Sequence, residues 1–85
     1  MSKPVVVFRA RWAAVKKRSY TVLIGGGTSV CYDVWQWNVY KMKWVRVANA
    51  CGYGELANAE RDALEMSRET QEMLDNNRTP PEPLA

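Results

Sequence analysis

The chain predicts an α+β fold: a small antiparallel meander of three to four strands, followed by one C-terminal helix packed on one face. Three observations lead there. Short alternations of apolar and polar residues fill the first half, and a period of two puts successive side chains on opposite faces of a strand. A single stripe with steps of three and four begins at Leu56, which is the spacing of an amphipathic helix. The chain has 85 residues, enough for one domain with a small core, because a chain of that size buries only about 60–65% of the surface its unfolded form exposes. Residues 1–76 read as that α+β domain and residues 77–85 as a flexible, proline-rich tail.

The first strand is read from Val6 to Ala14, where Val6, Phe8, Ala10, Trp12 and Ala14 alternate with a face that includes Arg9 and Arg11. A helix through Ala10–Lys17 competes, since Ala, Arg and Lys favour helices. Lys16, Lys17, Arg18 and Ser19 then read as a polar connection. Tyr20–Ile24, rich in β-branched and aromatic residues, is the second strand. Gly25, Gly26, Gly27, Thr28 and Ser29 break it and read as a flexible hairpin loop. A phosphate cradle there would need a helix directly after it, and a strand follows. Val30–Trp37 and Lys43–Ala48 are the third and fourth strands, joined near Asn38–Met42. Connections this short favour antiparallel neighbours.

Gly52 and Gly54 mark the exit from the sheet. The helix is expected from about Glu55 to Asn76, with Leu56, Ala59, Ala63, Met66, Thr70, Met73 and Leu74 facing inward. Glu55 suits the positive end of the helix dipole. Arg61 with Glu65, and Arg68 with Glu72, form i,i+4 pairs worth only a few tenths of a kcal/mol each, roughly. Asn76 and Asn77 suit a left-handed helix end, and the prolines after them cannot continue a helix.

Composition narrows the function classes. With 47% hydrophobic and 25% charged residues the chain is globular rather than disordered. No apolar run approaches the ~20 residues of a membrane span, and the early apolar run is too short for a signal-peptide core. A cytoplasmic setting is therefore expected; Cys31 and Cys51 could pair, but two cysteines without a secretory signal are more often buried reduced thiols. Histidine is absent, so Ser-His-Asp and Cys-His chemistry and His-containing zinc sites are excluded. The helix carboxylates Glu60, Asp62, Glu65, Glu69 and Glu72 face no candidate metal partner from elsewhere in the chain. The expectation is a protein that is not an enzyme and carries no cofactor or metal.

Charge is sharply divided. Residues 1–54 hold nine basic residues and one acid, Asp33, a net of +8; residues 55–85 hold three basic residues and eight acids, a net of −5. Such a dipole orients encounters with a partner. The basic half also carries the aromatic residues. Trp35 and Trp37 project from one side of their strand. Trp44 and Arg46 share a side of theirs with Met42 in line, while Lys43, Val45 and Val47 take the other. One helix covers only one face of a sheet, so at least one of Trp35, Trp37 and Trp44 is expected in the core and another at a binding face. Trp and Arg are enriched at binding hot spots.

The run VCYDVWQWNVYKMKWVRVANACGYGELANAERDAL, within Tyr20–Leu74, resembles the small βββα accessory proteins of phages and mobile elements. In these a Trp-rich hairpin leads through a Gly turn into an Ala/Glu-rich helix. The resemblance spans about two-thirds of the chain and rests on composition. It implies a protein that binds and blocks a host macromolecule. The strand order is also similar to that of the double-stranded-RNA-binding domain. That family grips phosphates with a lysine cluster at the start of its last helix. Here the matching stretch, Gly54–Glu60, is acidic, and a convincing first helix is missing.

The leading functional expectation is an inhibitor or adaptor of a host protein. Its contact residues are Trp44, Arg46 and Met42, with Lys41, Lys43, Lys16, Lys17 and Arg18 at the rim. The alternative is nucleic-acid binding by the same basic and aromatic face. A homodimer is the third option, through the short heptad-like helix stripe or through exposed sheet aromatics. No membrane partner is expected.

Overall fold

A computed structural model describes residues 4–21 and 24–74. Four strands, β1 (Val5–Arg9), β2 (Ala13–Thr21), β3 (Thr28–Asn38) and β4 (Lys43–Cys51), form one antiparallel sheet in the order β1-β2-β3-β4. A short 3₁₀ turn, Tyr53–Glu55, leads into the helix α1 (Leu56–Met73). The fold is thus the expected α+β meander with one C-terminal helix.

The helix lies on the sheet face that carries Ala13 and Val15 from β2 and Val30, Tyr32 and Val34 from β3. These five pack with Ala59 and Ala63 of α1 into one buried cluster, bordered by Phe8, Ala48, Leu56 and Met66. Alanine at two successive turns lets the helix backbone approach the sheet closely. The rest of the buried helix stripe is polar. Ser67 and Thr70 are buried, and Gln36 of β3 donates to Thr70 Oγ1 (2.9 Å) and to the Met66 carbonyl (3.2 Å). Ser67 was absent from the expected stripe, and Met73, expected inside, is exposed. Leu74 is already extended, so the helix ends before Asn76. The Asn76–Asn77 cap and the proline-rich tail lie outside the described residues.

The N-terminal half departs most from expectation. The first strand does not run through Ala14. The chain reverses at Ala10–Trp12, where the Ala10 N–H bonds to the Ala13 carbonyl (2.9 Å), and β1 ends at Arg9. Lys16, Lys17, Arg18 and Ser19 are therefore not a connection but the middle of β2. Lys17 is exposed, and Lys16 and Arg18 are tolerated there because of the acid they meet on β3. Lys16 pairs with Asp33 across the β2–β3 ladder, and Arg18 binds the same carboxylate (3.2 Å).

Gly25, Gly26 and Gly27 lie in the loop between β2 and β3, all at positive φ, the conformation that glycine adopts without a Cβ penalty. At the same end of the sheet Gly52, at φ 127°, turns the chain out of β4. Its N–H still donates to the Val30 carbonyl (2.8 Å). Beside it Cys31 and Cys51 face each other across the β3–β4 ladder and are joined by a disulfide, which corrects the reading of two free thiols. No helix among the described residues is long and apolar enough to cross a membrane.

Candidate functional site: a cation and tryptophan face ending in a hairpin

The sheet face turned away from α1 is built by strand alternation. Lys16 of β2 stands opposite Asp33 of β3, Ala14 opposite Trp35, and Arg9 of β1 opposite Ala14. On the other side of β3, Arg46 pairs with Trp35 and Trp44 with Trp37. Basic side chains and indoles thus share one surface. Asp33, with only 3% of its surface exposed, is the one acid in residues 1–54, and Arg18 holds it through both oxygens (3.2 and 3.4 Å).

The cations sit on the rings. Lys16 Nζ lies 4.4 Å from the Trp35 ring centre, and the Arg9 guanidinium lies 5.0 Å from that of Trp44. Trp44 in turn meets Trp37 edge-on at 5.9 Å. Such contacts contribute roughly 0.5–2 kcal/mol each, more as they are desolvated. Arg9 also donates to the Ala10 carbonyl (2.7 Å) and the Arg11 carbonyl (3.2 Å), which ties the β1–β2 turn to this surface. The Trp35 indole N–H is buried with no acceptor among the described residues, at a cost of about 1–3 kcal/mol.

Of Trp35, Trp37 and Trp44 one is in the buried core, as expected, although on the face turned away from α1. Trp37 is buried at 8% exposure, but on the far face against Trp44, while Trp35 and Trp44 are half-buried. Trp12 takes the place beneath α1. Its backbone N–H donates to Ser67 Oγ (2.9 Å) and its indole N–H to Gln71 Oε1 (2.8 Å).

The rim residues divide. Lys16 is buried, so it supports the face from within rather than edging it. Lys17 pairs with Tyr32 and by alternation takes the helix side, so Lys16, Lys17 and Arg18 do not form one cationic loop. Arg18 is half-buried on Asp33. Arg46, Lys43, Lys41 and Met42 are exposed on β4 and its hairpin, with Arg46 on the tryptophan side and Lys43 on the other by alternation. A register shift after Val34 leaves Val47 as an extra residue in β4, and Trp44 and Arg46 still share a side.

The hairpin tip is the most exposed part of this surface. Asn38 Oδ1 accepts the N–H groups of Tyr40 (3.0 Å) and Lys41 (2.9 Å), and the Met42 N–H returns to the Asn38 carbonyl (2.8 Å). This closure holds Met42 at φ 54°. A methionine in that left-handed region costs on the order of 1 kcal/mol that a glycine would avoid. Tyr40 and Met42 are 84% and 66% exposed. Tyr40 was not among the expected site residues; its signal was an aromatic residue in a turn that Asn38 is suited to organise. Arg9 was also missed, although its place on the basic face of the first alternation pointed to it.

No family model matches the chain, and neither does any curated protein or solved structure.

Chemically the site offers cations, exposed apolar ends and backbone groups at a sheet edge. Among the described residues no three His, Cys, Asp or Glu side chains come together as metal ligands. The open groove beside Arg61, Leu64 and Arg68 runs along the outer side of α1, away from the tryptophans.

The titration of Lys16 is displaced. Burial pulls its pKa below the ordinary 10.5, and the nearby Asp33 charge opposes that pull without overcoming it. The charged ammonium therefore costs the folded state at neutral pH. Between the lowered folded value and 10.5 the unfolded chain holds more proton, so stability contributed by this group rises with pH. Urea unfolding of the protein and of Lys16→Met at about pH 7 and about pH 10 tests this. The wild-type midpoint should gain on that of the variant at the higher pH; a gap that is flat, or moves the other way, contradicts the assignment.

Proposed function

We propose that this chain is a small non-catalytic binding protein of the phage-inhibitor kind. It docks on an acidic surface of a host protein through β4 and the β3–β4 hairpin, and acts by occupying that surface. The observation that carries the reading is the hairpin tip, where Tyr40 and Met42 stand in solvent beside Lys41 and Lys43, and Met42 is kept at a backbone position better suited to glycine. A side chain kept at an energetic cost is more readily explained by contact with a partner than by the fold. Trp44 and Arg46 continue the same surface, and the lack of acids in residues 34–54 makes it uniformly basic.

Nucleic-acid binding is the weaker reading. Bases need open ring faces, whereas Arg9 and Lys16 already lie over Trp44 and Trp35.

Three variants test the reading. Trp44→Ala and Arg46→Glu should each weaken partner binding while unfolding stays cooperative. Met42→Gly should raise stability by about 1 kcal/mol and weaken binding as well. The assay is capture from a bacterial lysate, with and without nuclease. A protein held by the wild type after nuclease treatment and lost by Arg46→Glu supports the proposal. Capture abolished by nuclease, or undiminished in all three variants, refutes it.

A further inference from the structure

The outer edge of β4 narrows the class of partner, an inference that rests on the proposed binding role. The sheet has two edges. β1 is short, five residues beginning directly after Pro4, with a register shift between Val6 and Phe8; all three features blunt an edge against further pairing. β4 has nine residues and no proline, and among the described strands only β3 pairs with it. Its unused backbone groups can be located. The bond from the Gly52 N–H to the Val30 carbonyl marks one hydrogen-bonded rung. In an antiparallel ladder such rungs alternate, so Tyr32–Ala50 and Val34–Ala48 are the next ones. The N–H and carbonyl of Asn49, between them, point away from β3.

The side chains along this edge sort by face. Trp44, Arg46 and Asn49 lie on the tryptophan side, and Val45, Ala48 and Ala50 on the helix side, where they are half-buried. An added strand would set alternate residues beside Arg46 and the others beside Val45 and Ala48. Neither β4 nor the hairpin carries an acid, while Lys41, Lys43 and Arg46 are all exposed. A second copy of the chain would bring the same cations onto one ribbon, which like-charge repulsion opposes.

We infer that β4 takes up an extended acidic segment of a partner protein as a fifth strand, one alternating carboxylate and aliphatic side chains. Main-chain bonds supply the affinity, and the basic edge selects the sequence.

The probe is a fluorescein-labelled synthetic peptide of strand length alternating glutamate and valine, followed by fluorescence anisotropy at low salt. A proline at position 49 removes an outward N–H and leaves the β3 ladder bonds in place. Asn49→Pro should therefore weaken peptide binding by roughly tenfold or more with its melting temperature retained, and Arg46→Glu should do the same. N-methylating alternate amides of the peptide, with the protein unchanged, should also abolish binding, which covers the case in which Asn49→Pro does not fold. If Arg46→Glu loses binding but Asn49→Pro and the N-methylated peptide keep it, strand addition is wrong and the basic docking surface stands. Failure of the wild type to bind the peptide while it binds a single-stranded oligonucleotide overturns the acidic-segment inference and the protein-partner reading together. A concentration-dependent doubling of mass that Asn49→Pro abolishes assigns the edge to a second copy and overturns the inference alone.

Discussion

Ala63→Asp should leave the chain unfolded at 25 °C. Ala63 has no exposed surface and sits in the cluster formed with Ala13, Val15, Val30, Tyr32 and Val34. A carboxylate there loses its hydration among apolar side chains. The penalty is several kcal/mol, roughly, even after relaxation, against a total stability of about 5–15 kcal/mol for a domain of ordinary size, and a domain this small has a limited core. Leu56→Asp, at a half-buried position on the same stripe, should destabilise less. Leu64→Asp provides the control, because Leu64 is on the same helix but 56% exposed; its melting curve should match the wild type. Far-UV circular dichroism against temperature distinguishes the three. A soluble Ala63→Asp protein with an unchanged transition would show that α1 does not pack on this face.

Trp12→Ala should cost about 3–5 kcal/mol, the usual loss when a large buried aromatic side chain is truncated. Trp12 is the largest fully buried side chain described, and it joins elements distant in the chain. Its carbonyl accepts the Trp37 N–H (2.9 Å), which extends the β2–β3 ladder, and its two N–H groups bind Ser67 and Gln71 of α1. Trp12→Phe keeps most of the volume and loses only the indole donor, so about 1–2 kcal/mol is expected. Urea denaturation should place the midpoints in the order wild type, Trp12→Phe, Trp12→Ala. Equal midpoints for the two variants would mean that the Gln71 bond, rather than filling the space under the helix, carries the effect.

Reading the residues in order recovers the class, the strand-then-helix order, the β3–β4 hairpin and the shared side of Trp44 and Arg46. These follow from alternation, turn residues and the three-four stripe, which act over a few neighbours. Lys16–Arg18 was misplaced for the complementary reason. Three cations in a row look like a solvated connection until Asp33 is known to meet Lys16 and Arg18, and that carboxylate is far along the chain. The turn at Ala10–Trp12 breaks the alternation read from Val6 to Ala14, so Trp12 and Ala14 do not share a strand face with Phe8. The site residues fared unevenly: Lys41, Met42, Lys43 and Arg46 are exposed, Lys16 is internal, and Tyr40 was not among those expected.

The sequence alone therefore determined the kinds of element, their order, and the division into a basic sheet and an acidic helix, because propensity, periodicity and formal charge belong to each segment by itself. Only the tertiary structure decided which tryptophan lies beneath α1, that Cys31 meets Cys51, and that Arg9 and Lys16 cover indoles. Those outcomes depend on strand register and on the bulge after Val34, which bring residues distant in the chain into contact at a spacing that no local pattern encodes.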